Sequence, residues 1–271
     1  MKKIVKFAVA CAAVSAVFFT GCKKGSGSTE DSSLSDLKKR GVFVLGLDDS
    51  FPPLGFRDEN NDIVGYDIDL AKEVAKRLGV EFKAQPIDWD AKEMELNTGK
   101  IDCIWNGFTM TGEREKALAF TKAYLNNEQV LVVRSDSGVK SLADMAGKTV
   151  GLQSGSSAQE AVNGNKTFAA SLKKQVMFKD NVTALNDLSI GGVDGVVMDS
   201  VVAEYSITAT KKPFTVIDEP LSKEEYGVAF RKGDAALRDE VQKTLEEMQK
   251  DGTVTAVSIK WFGRDLSVIG K

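Results

Sequence analysis

Apolar and polar positions alternate along the chain in two registers, one with the period of a strand and one with that of a helix. Positions 34–39 predict a short helix, which leads through Gly41 into an apolar strand at 42–47. The prolines at 52 and 53 fix φ and keep the loop from Asp48 onward out of the sheet. A hairpin turn at 57–62 and its return at 63–66 come next. Beyond Asp67, residues Leu70, Val74 and Leu78 share one helical face, and Gly79 stops the helix. A strand at 80–84, a loop at 86–90, a helix at 92–98, a strand at 101–105 and a helix at 113–119 follow. This β-α-β-α-β series predicts a mainly parallel sheet flanked by helices.

A second series starts after Tyr124. Strands are expected at 128–134, 148–153, 194–198 and 214–217, a helical turn at 141–145, and helices from Ala158, at 182–188 and at 201–208. A strand at 226–230 and helices at 234–250 and 253–262 close the chain. The pattern predicts an α/β fold with two lobes of similar build and a C-terminal section that can return to the first. A cleft between two such lobes is the default seat of a small molecule.

Composition narrows the chemistry. The content is 42% hydrophobic and 28% charged, that of a globular protein with ample length for a core. The formal charge is −3, and −6 once the leader lysines Lys2, Lys3 and Lys6 are set aside. That balance argues against nucleic acid as a partner. There is no histidine, which excludes Ser-His-Asp and Cys-His catalysis and the commonest zinc ligand. No metal or cofactor is expected.

The basic start and the apolar run at 7–19 read as an export signal at 1–21, too short for a comfortable membrane span. Thr20 and Gly21 before Cys22 resemble a bacterial lipobox, although Phe19 stands where leucine is usual. The resemblance implies a lipid on Cys22, followed by a flexible polar tether at 22–33. Cys11 leaves with the leader, so Cys103 remains as a small buried hydrophobe with no disulfide partner.

The loops that follow strands carry the candidate chemistry. Asn106-Gly107-Phe108-Thr109 runs into Arg114 between a strand and a helix, the usual ligand edge of an open α/β sheet. A guanidinium there can grip a carboxylate in two parallel hydrogen bonds. Equally, Thr111 can cap the helix and Arg114 can pair with a glutamate in solvent. Gln153-Ser154-Gly155-Ser156-Ser157 opens another helix, an ordinary cap or a seat for an anion, and lacks the ending of a phosphate loop. Asp199 ends a strand and can either cap the next helix or receive an ammonium. Asp48 reads as a turn residue and Phe51 as core, or both as cleft walls; Trp89 reads as a plug or as a stacking wall. Together, Arg114 and the serines suit a carboxylate, and Asp199 with Thr109 suits an α-ammonium. A free amino acid presents both.

Seven stretches carry a resemblance to one family: LDDSFPPLGF (47–56), VGYDIDLAKEVAKRLG (64–79), GKIDCIWNGFTMTGERE (99–115), LADMAGKTVGLQSGSS (142–157), VDGVVMD (193–199), YGVAFRKGD (226–234) and the closing DGT with KWFG. The chain resembles the family 3 solute-binding proteins, polar amino acid receptors of bacterial ABC importers. The resemblance implies a two-lobed periplasmic-binding-protein fold of type II. Lobe one would hold 34–125 with 226–271, lobe two 126–225, and two crossing strands near 124–128 and 222–226 would join them. It assigns the α-carboxylate to Arg114, Ser156 and Ser157, and the α-ammonium to Asp199, with Gly107 and Thr109 completing either set. Phe51 and Trp89 would sandwich the guest, with Asp48 and Gln153 facing its side chain. Gly55 and Asn106 depart from the usual acid and small residue, and both could sit near that side chain.

Acids at Asp48 and Asp49, the Gln153 amide and Trp89 suit a basic or amide side chain, such as arginine, lysine, ornithine or glutamine. The implied protein is a monomer outside the cytoplasm, lipid-anchored at the membrane, handing its amino acid to permease subunits. A sensor or scavenger would use the same pocket. A dehydratase-like enzyme on this fold would need a distinctive acid–base pair, which the sequence does not offer.

Overall fold

The computed structural model describes residues 31–271, which form one compact unit. The export signal, Cys22 and most of the tether lie outside the described residues. In chain order the first elements are α1 (Ser33–Arg40), β1 (Val42–Leu47), β2 (Ser50–Phe51), β3 (Gly55–Arg57), β4 (Ile63–Val64), α2 (Tyr66–Leu78) and β5 (Glu81–Pro86). Then come α3 (Lys92–Asn97), β6 (Cys103–Ile104), α4 (Gly112–Ala117) and β7 (Leu118–Phe120). The second series is β8 (Leu125–Arg134), β9 (Thr149–Gln153), α5 (Ser157–Gly164), α6 (Lys166–Ser171), β10 (Lys174–Phe178), α7 (Asn181–Ile190) and β11 (Gly195–Asp199). It continues through α8 (Ser200–Thr210), β12 (Phe214–Val216) and β13 (Ser222–Tyr226). The chain closes with β14 (Ala229–Arg231), α9 (Ala235–Lys250) and α10 (Thr253–Phe262).

The first sheet has the order β5-β1-β6-β14-β7, and the second is built on β10-β9-β11-β8-β12 with β13 also on β8. In each, the β-α-β portion is parallel: β5-β1-β6 in the first and β10-β9-β11 in the second. Each is then completed by antiparallel strands, β14 and β7 in one and β8, β12 and β13 in the other. The predicted strand at 226–230 is two pieces, because the chain leaves the second sheet at Tyr226 and joins the first at Ala229. Of the predicted strand at 101–105 only Cys103–Ile104 pairs, though all five residues are buried.

The two sheets are joined where β8 pairs with β13, antiparallel from Ser222 opposite Gln129 to Tyr226 opposite Leu125. Both strands are polar and alternate buried with exposed residues over this stretch. Strands of this kind can bend without emptying a core, and they turn one polar face inward toward the cleft.

The folded body starts earlier than the sequence suggests. The Asp31 carboxylate accepts from the Ala236 N–H at 2.6 Å and the Ser33 hydroxyl accepts from the Leu237 N–H at 3.1 Å. These two side chains satisfy free donors at the start of α9, which its nominal cap Asp234 leaves unmet. Residues 31–33, expected in the tether, are therefore part of the folded unit.

Candidate functional site

All eleven residues picked as ligand contacts line one small cavity: Asp48, Phe51, Trp89, Asn106, Gly107, Thr109, Arg114, Gln153, Ser156, Ser157 and Asp199. The space left among them is about 10 Å³, enough for the centre of one water, so the lobes are closed on one another. A larger groove of about 1000 Å³ runs beside the hinge strands and shares Thr109 and Ser157 with the cavity. It is open, and neither Arg114 nor Asp199 lines it.

The strand–helix loop from Asn106 to Arg114 splits between the two readings given to it. Thr111 is the N-cap of α4 and its hydroxyl accepts from the Arg114 N–H at 3.4 Å. Arg114, by contrast, is only 7% exposed and does not face solvent. Its guanidinium lies 4.3 Å over the Phe108 ring and donates to the carbonyls of Thr109 at 3.0 Å and Gly155 at 3.2 Å. Among the described residues no carboxylate pairs with it. Burial lowers its pKa, the direction expected for a cation taken out of water.

Gly107 bends this loop at φ +56°, and a Cβ there would stand 2.6 Å from Leu54 Cδ1 and 3.0 Å from Phe51. The Gly107 N–H donates to Asp67 at 2.8 Å, and the Tyr124 hydroxyl donates to the same oxygen at 3.0 Å. Asp67 is thus the fastener of the loop from below. Trp89 and Phe51 are both buried at the cavity wall; Trp89 meets Phe108 edge-on at 5.7 Å.

Lobe two brings its serine loop directly onto lobe one. The Gly155 carbonyl receives Arg114 and also the Lys92 ammonium, at 2.9 Å. Gly155 itself, at φ +66°, stands so close that a Cβ would lie 2.5 Å from Asp90 Oδ1. The Ser154 hydroxyl donates to Asp90 at 3.0 Å, and the Ser157 and Thr109 hydroxyls meet at 3.1 Å. Ser156 is the N-cap residue of α5, but its hydroxyl donates to the Gln153 carbonyl and caps no helical N–H. Gln153 donates to Asp48 across the cleft at 2.8 Å. Burial pushes Asp48 up to about 6, against the opposing pull of the Ser50 N–H and of Gln153.

Asp199 occupies the N-cap position of α8 yet makes no side-chain cap bond. Its Oδ1 instead accepts from Asn127 at 2.7 Å, Gln129 at 2.9 Å and the Tyr226 hydroxyl at 2.6 Å. Burial first, and the neighbouring Glu224 charge second, push its pKa up to about 7. Among the described residues no lysine or arginine pairs with it.

Sequence reasoning missed the hinge-strand members of this site. Glu224 Oε2 accepts from Thr109 at 2.9 Å, Gln129 at 3.0 Å, Asn127 at 3.1 Å and Ser157 at 3.2 Å, so both lobes and both crossing strands meet on one oxygen. The available signal was spacing. Asn127 and Gln129 lie two apart on β8, as do Glu224 and Tyr226 on β13, which sends each pair to one face of its strand. Lys92 was also missed; burial lowers its pKa to about 8, helped by nearby Arg114, and nothing in its helical context marks it. Asp49, expected near the guest, is instead paired with Arg57 at 2.6 Å outside the cavity.

Comparison with known proteins places this geometry. The model of the bacterial extracellular solute-binding proteins, family 3, matches residues 43–264. The L-cystine-binding protein TcyJ of Escherichia coli K12 is 32% identical over 240 residues, which cover 88% of this chain and 89% of TcyJ. A substrate-binding protein of an ABC uptake transporter from Streptococcus pneumoniae, solved with bound histidine, superposes with a TM-score of 0.86. It is 35% identical, and the match spans 89% of this chain and all of that one. An ancestral arginine-binding protein bound to glutamine is 42% identical with a TM-score of 0.77, over 83% of this chain and 99% of that one. The chain belongs to the bacterial extracellular solute-binding proteins, family 3, and is a binding protein, not an enzyme.

Proposed function

We propose that the protein captures a free polar amino acid with a basic or amide side chain outside the cytoplasm and delivers it to an ABC permease. One observation carries the reading. The closed cleft buries a guanidinium with no carboxylate and a carboxylate with no cation, Arg114 and Asp199, against the same cavity. Buried ions without counter-ions are costly, and a zwitterion brings both counter-ions on one carbon. Cystine, histidine, arginine and glutamine, the amino acids named for those relatives, all present that head group.

In this reading the α-carboxylate meets Arg114 and the start of α5 at Ser156 and Ser157. The α-ammonium meets Asp199, with Thr109 and Gly107 beside it and Glu224 behind. Phe51 and Trp89 flank the guest, and Asp48, Asn106 and Gln153 face its side chain. The guest binds the open lobe-one surface first. Closure then excludes water, which strengthens the charged contacts. Lobe one holds 34–125 and 226–271, lobe two 126–225, and the paired stretch of β8 and β13 is the hinge. Micromolar binding asks for about −8 kcal/mol in total, within reach of one charged head group and two aromatic walls. Cys22 carries the lipid that keeps the receptor beside the membrane, and the receptor acts as a monomer.

The test is isothermal titration of the refolded, ligand-stripped protein with the common amino acids, one at a time. Micromolar or tighter binding of arginine, lysine, ornithine or glutamine is the expected outcome. Tight binding confined to acidic or branched apolar amino acids sinks the side-chain reading, and no binding to any amino acid sinks the whole of it.

A further inference from the structure

The side-chain end of the cavity contains a polar group that the head-group chemistry leaves unused. Asn106 is 1% exposed and lines the cavity beside Asp48 and Gln153. Its Oδ1 accepts from the Asp48 N–H at 3.0 Å. That backbone donor fixes the amide orientation, since a flipped amide would set two donors against each other. The Nδ2 is thereby committed as a donor, and it is buried with no partner. It stands 2.7 Å from where a Cβ on Gly55 would lie, so the amide occupies space that a side chain at 55 would need. Gly55 and Asn106, the two departures noted in the sequence, are therefore one coupled feature.

Beside this donor stands an acceptor. Asp48 takes one hydrogen bond on Oδ1 from the Ser50 N–H and one on Oδ2 from Gln153. Two oxygens offer about four acceptor positions, which leaves capacity for a guest. Asn106 and Asp48 both line the cavity, so this end of it carries a committed donor and a carboxylate acceptor on neighbouring residues.

We infer that the site selects a side chain carrying an acceptor beside a donor: the primary amide of glutamine first, the neutral imidazole of histidine second. The amide oxygen accepts from Asn106 Nδ2 and the amide nitrogen donates to Asp48. Lysine, ornithine and arginine end in donors only, so they satisfy Asp48 and leave Asn106 Nδ2 buried and unpaired. Sites built to hydrogen-bond a group discriminate strongly against analogues that lack it. The inference rests on the amino acid reading above and divides the basic from the amide candidates within it.

Titration at one pH with glutamine, histidine, arginine, lysine and ornithine, on the parent and on Asn106→Asp, tests it. Asparagine and aspartate are nearly isosteric, and the aspartate still accepts from the Asp48 N–H, but it offers no Nδ2 donor. The parent is expected to bind glutamine at least about tenfold more tightly than the three donor-only amino acids. In Asn106→Asp the glutamine-to-arginine ratio is expected to fall by about tenfold or more, with the urea unfolding midpoint as the folding control. Asn106→Ala, which removes the donor without adding charge, should lower the ratio in the same direction. A parent that prefers arginine, lysine or ornithine overturns the inference, as does a ratio unchanged in a folded variant. Loss of binding to every amino acid in the parent would instead count against the proposed function.

Discussion

The two ends of the first sheet treat buried charge in opposite ways. Where its parallel strands begin, Asp102 is buried and both its oxygens accept from Arg40, at 2.6 and 2.7 Å. The Val44 N–H adds a bond at 2.8 Å, and Arg231 stands 3.9 Å away. Where the strands end, Arg114 rests on carbonyls and an aromatic face, and across the cleft Asp199 rests on amides and a hydroxyl. The carboxylates are buried at both ends, Arg40 is half exposed where Arg114 is buried, and the partners differ. Ions that meet their counter-ions within the chain hold a fold together. Ions held only by neutral dipoles, at a cleft, are kept for something that comes from outside. Asp67 sharpens the distinction. Burial pushes it up to about 7 and neutral donors hold it, yet it is sealed under the Gly107 loop and serves to anchor that loop. Neutral donors mark a site only where a wall of the cleft is involved.

The comparison breaks most sharply through a matched pair of arginine deletions. Arg114→Ala is expected to weaken amino acid binding by about 2–5 kcal/mol, because the guest carboxylate is left buried without its cation. Its unfolding midpoint in urea should hold or rise, since no counter-ion in the chain is orphaned. Arg40→Ala should do the reverse. Stability falls by roughly 1–3 kcal/mol, moderated because Arg40 is half exposed and Arg231 remains near Asp102. Affinity should stay within about twofold, the sites being distant and sharing no partner. Calorimetric titration and urea unfolding on both variants decide the matter; equal losses in both quantities would erase the distinction.

A smaller effect follows from the proton on Asp199. Its pKa of about 7 belongs to the ligand-free closed form, raised by burial and then by Glu224. An ammonium at that carboxylate favours the ionised form, so binding expels the proton. Affinity should therefore rise as pH rises through about 7 and level off above it. Titrations in buffers of different ionisation enthalpy should report proton release on the acid side. Asp199→Asn should bind more weakly at every pH and lose the rise. The ligand-free fold carries the opposite sign. A carboxyl raised from 3.8 to about 7 binds its proton more tightly in the native state, so stability falls as pH climbs between those values.

Much of this was legible in the sequence because loops after parallel strands face one edge, whatever their neighbours. That rule placed Asp48, Phe51, Trp89, Thr109, Arg114, Gln153, Ser156, Ser157 and Asp199 together. The family resemblance added Gly107 and Asn106, and the structure puts all of them around one cavity. Edge strands were harder. At β7 a helical reading ran on over 118–119, and β10 gave no clear alternation; each pairs on one side only, so nothing forces a buried face. Glu224 and Gln129 were invisible for another reason. Their role depends on the register of β8 against β13, which connects residues nearly a hundred positions apart.

Adjacent acids provide the finest form of the comparison. Asp48 and Asp49 are indistinguishable by composition, and both suggested a basic or amide side chain. Both lie in the turn between β1 and β2, which separates them: Asp48 faces the cavity, while Asp49 turns out and pairs with Arg57 at the end of β3. That pair is partly exposed on both sides, with 39% of the arginine and 27% of the aspartate side chain accessible. Screening by water leaves such a bridge worth about 0.2–1 kcal/mol. Asp49→Asn is thus expected to lower stability by at most about 1 kcal/mol and to leave the ratio of glutamine to arginine affinity where it was. Asp48→Asn, one residue away, removes the charge and turns one acceptor oxygen into a donor at the side-chain end, and should change that ratio. If Asp49→Asn shifts the ratio as much as Asp48→Asn does, then long-range charge, not contact at the cavity wall, sets the preference.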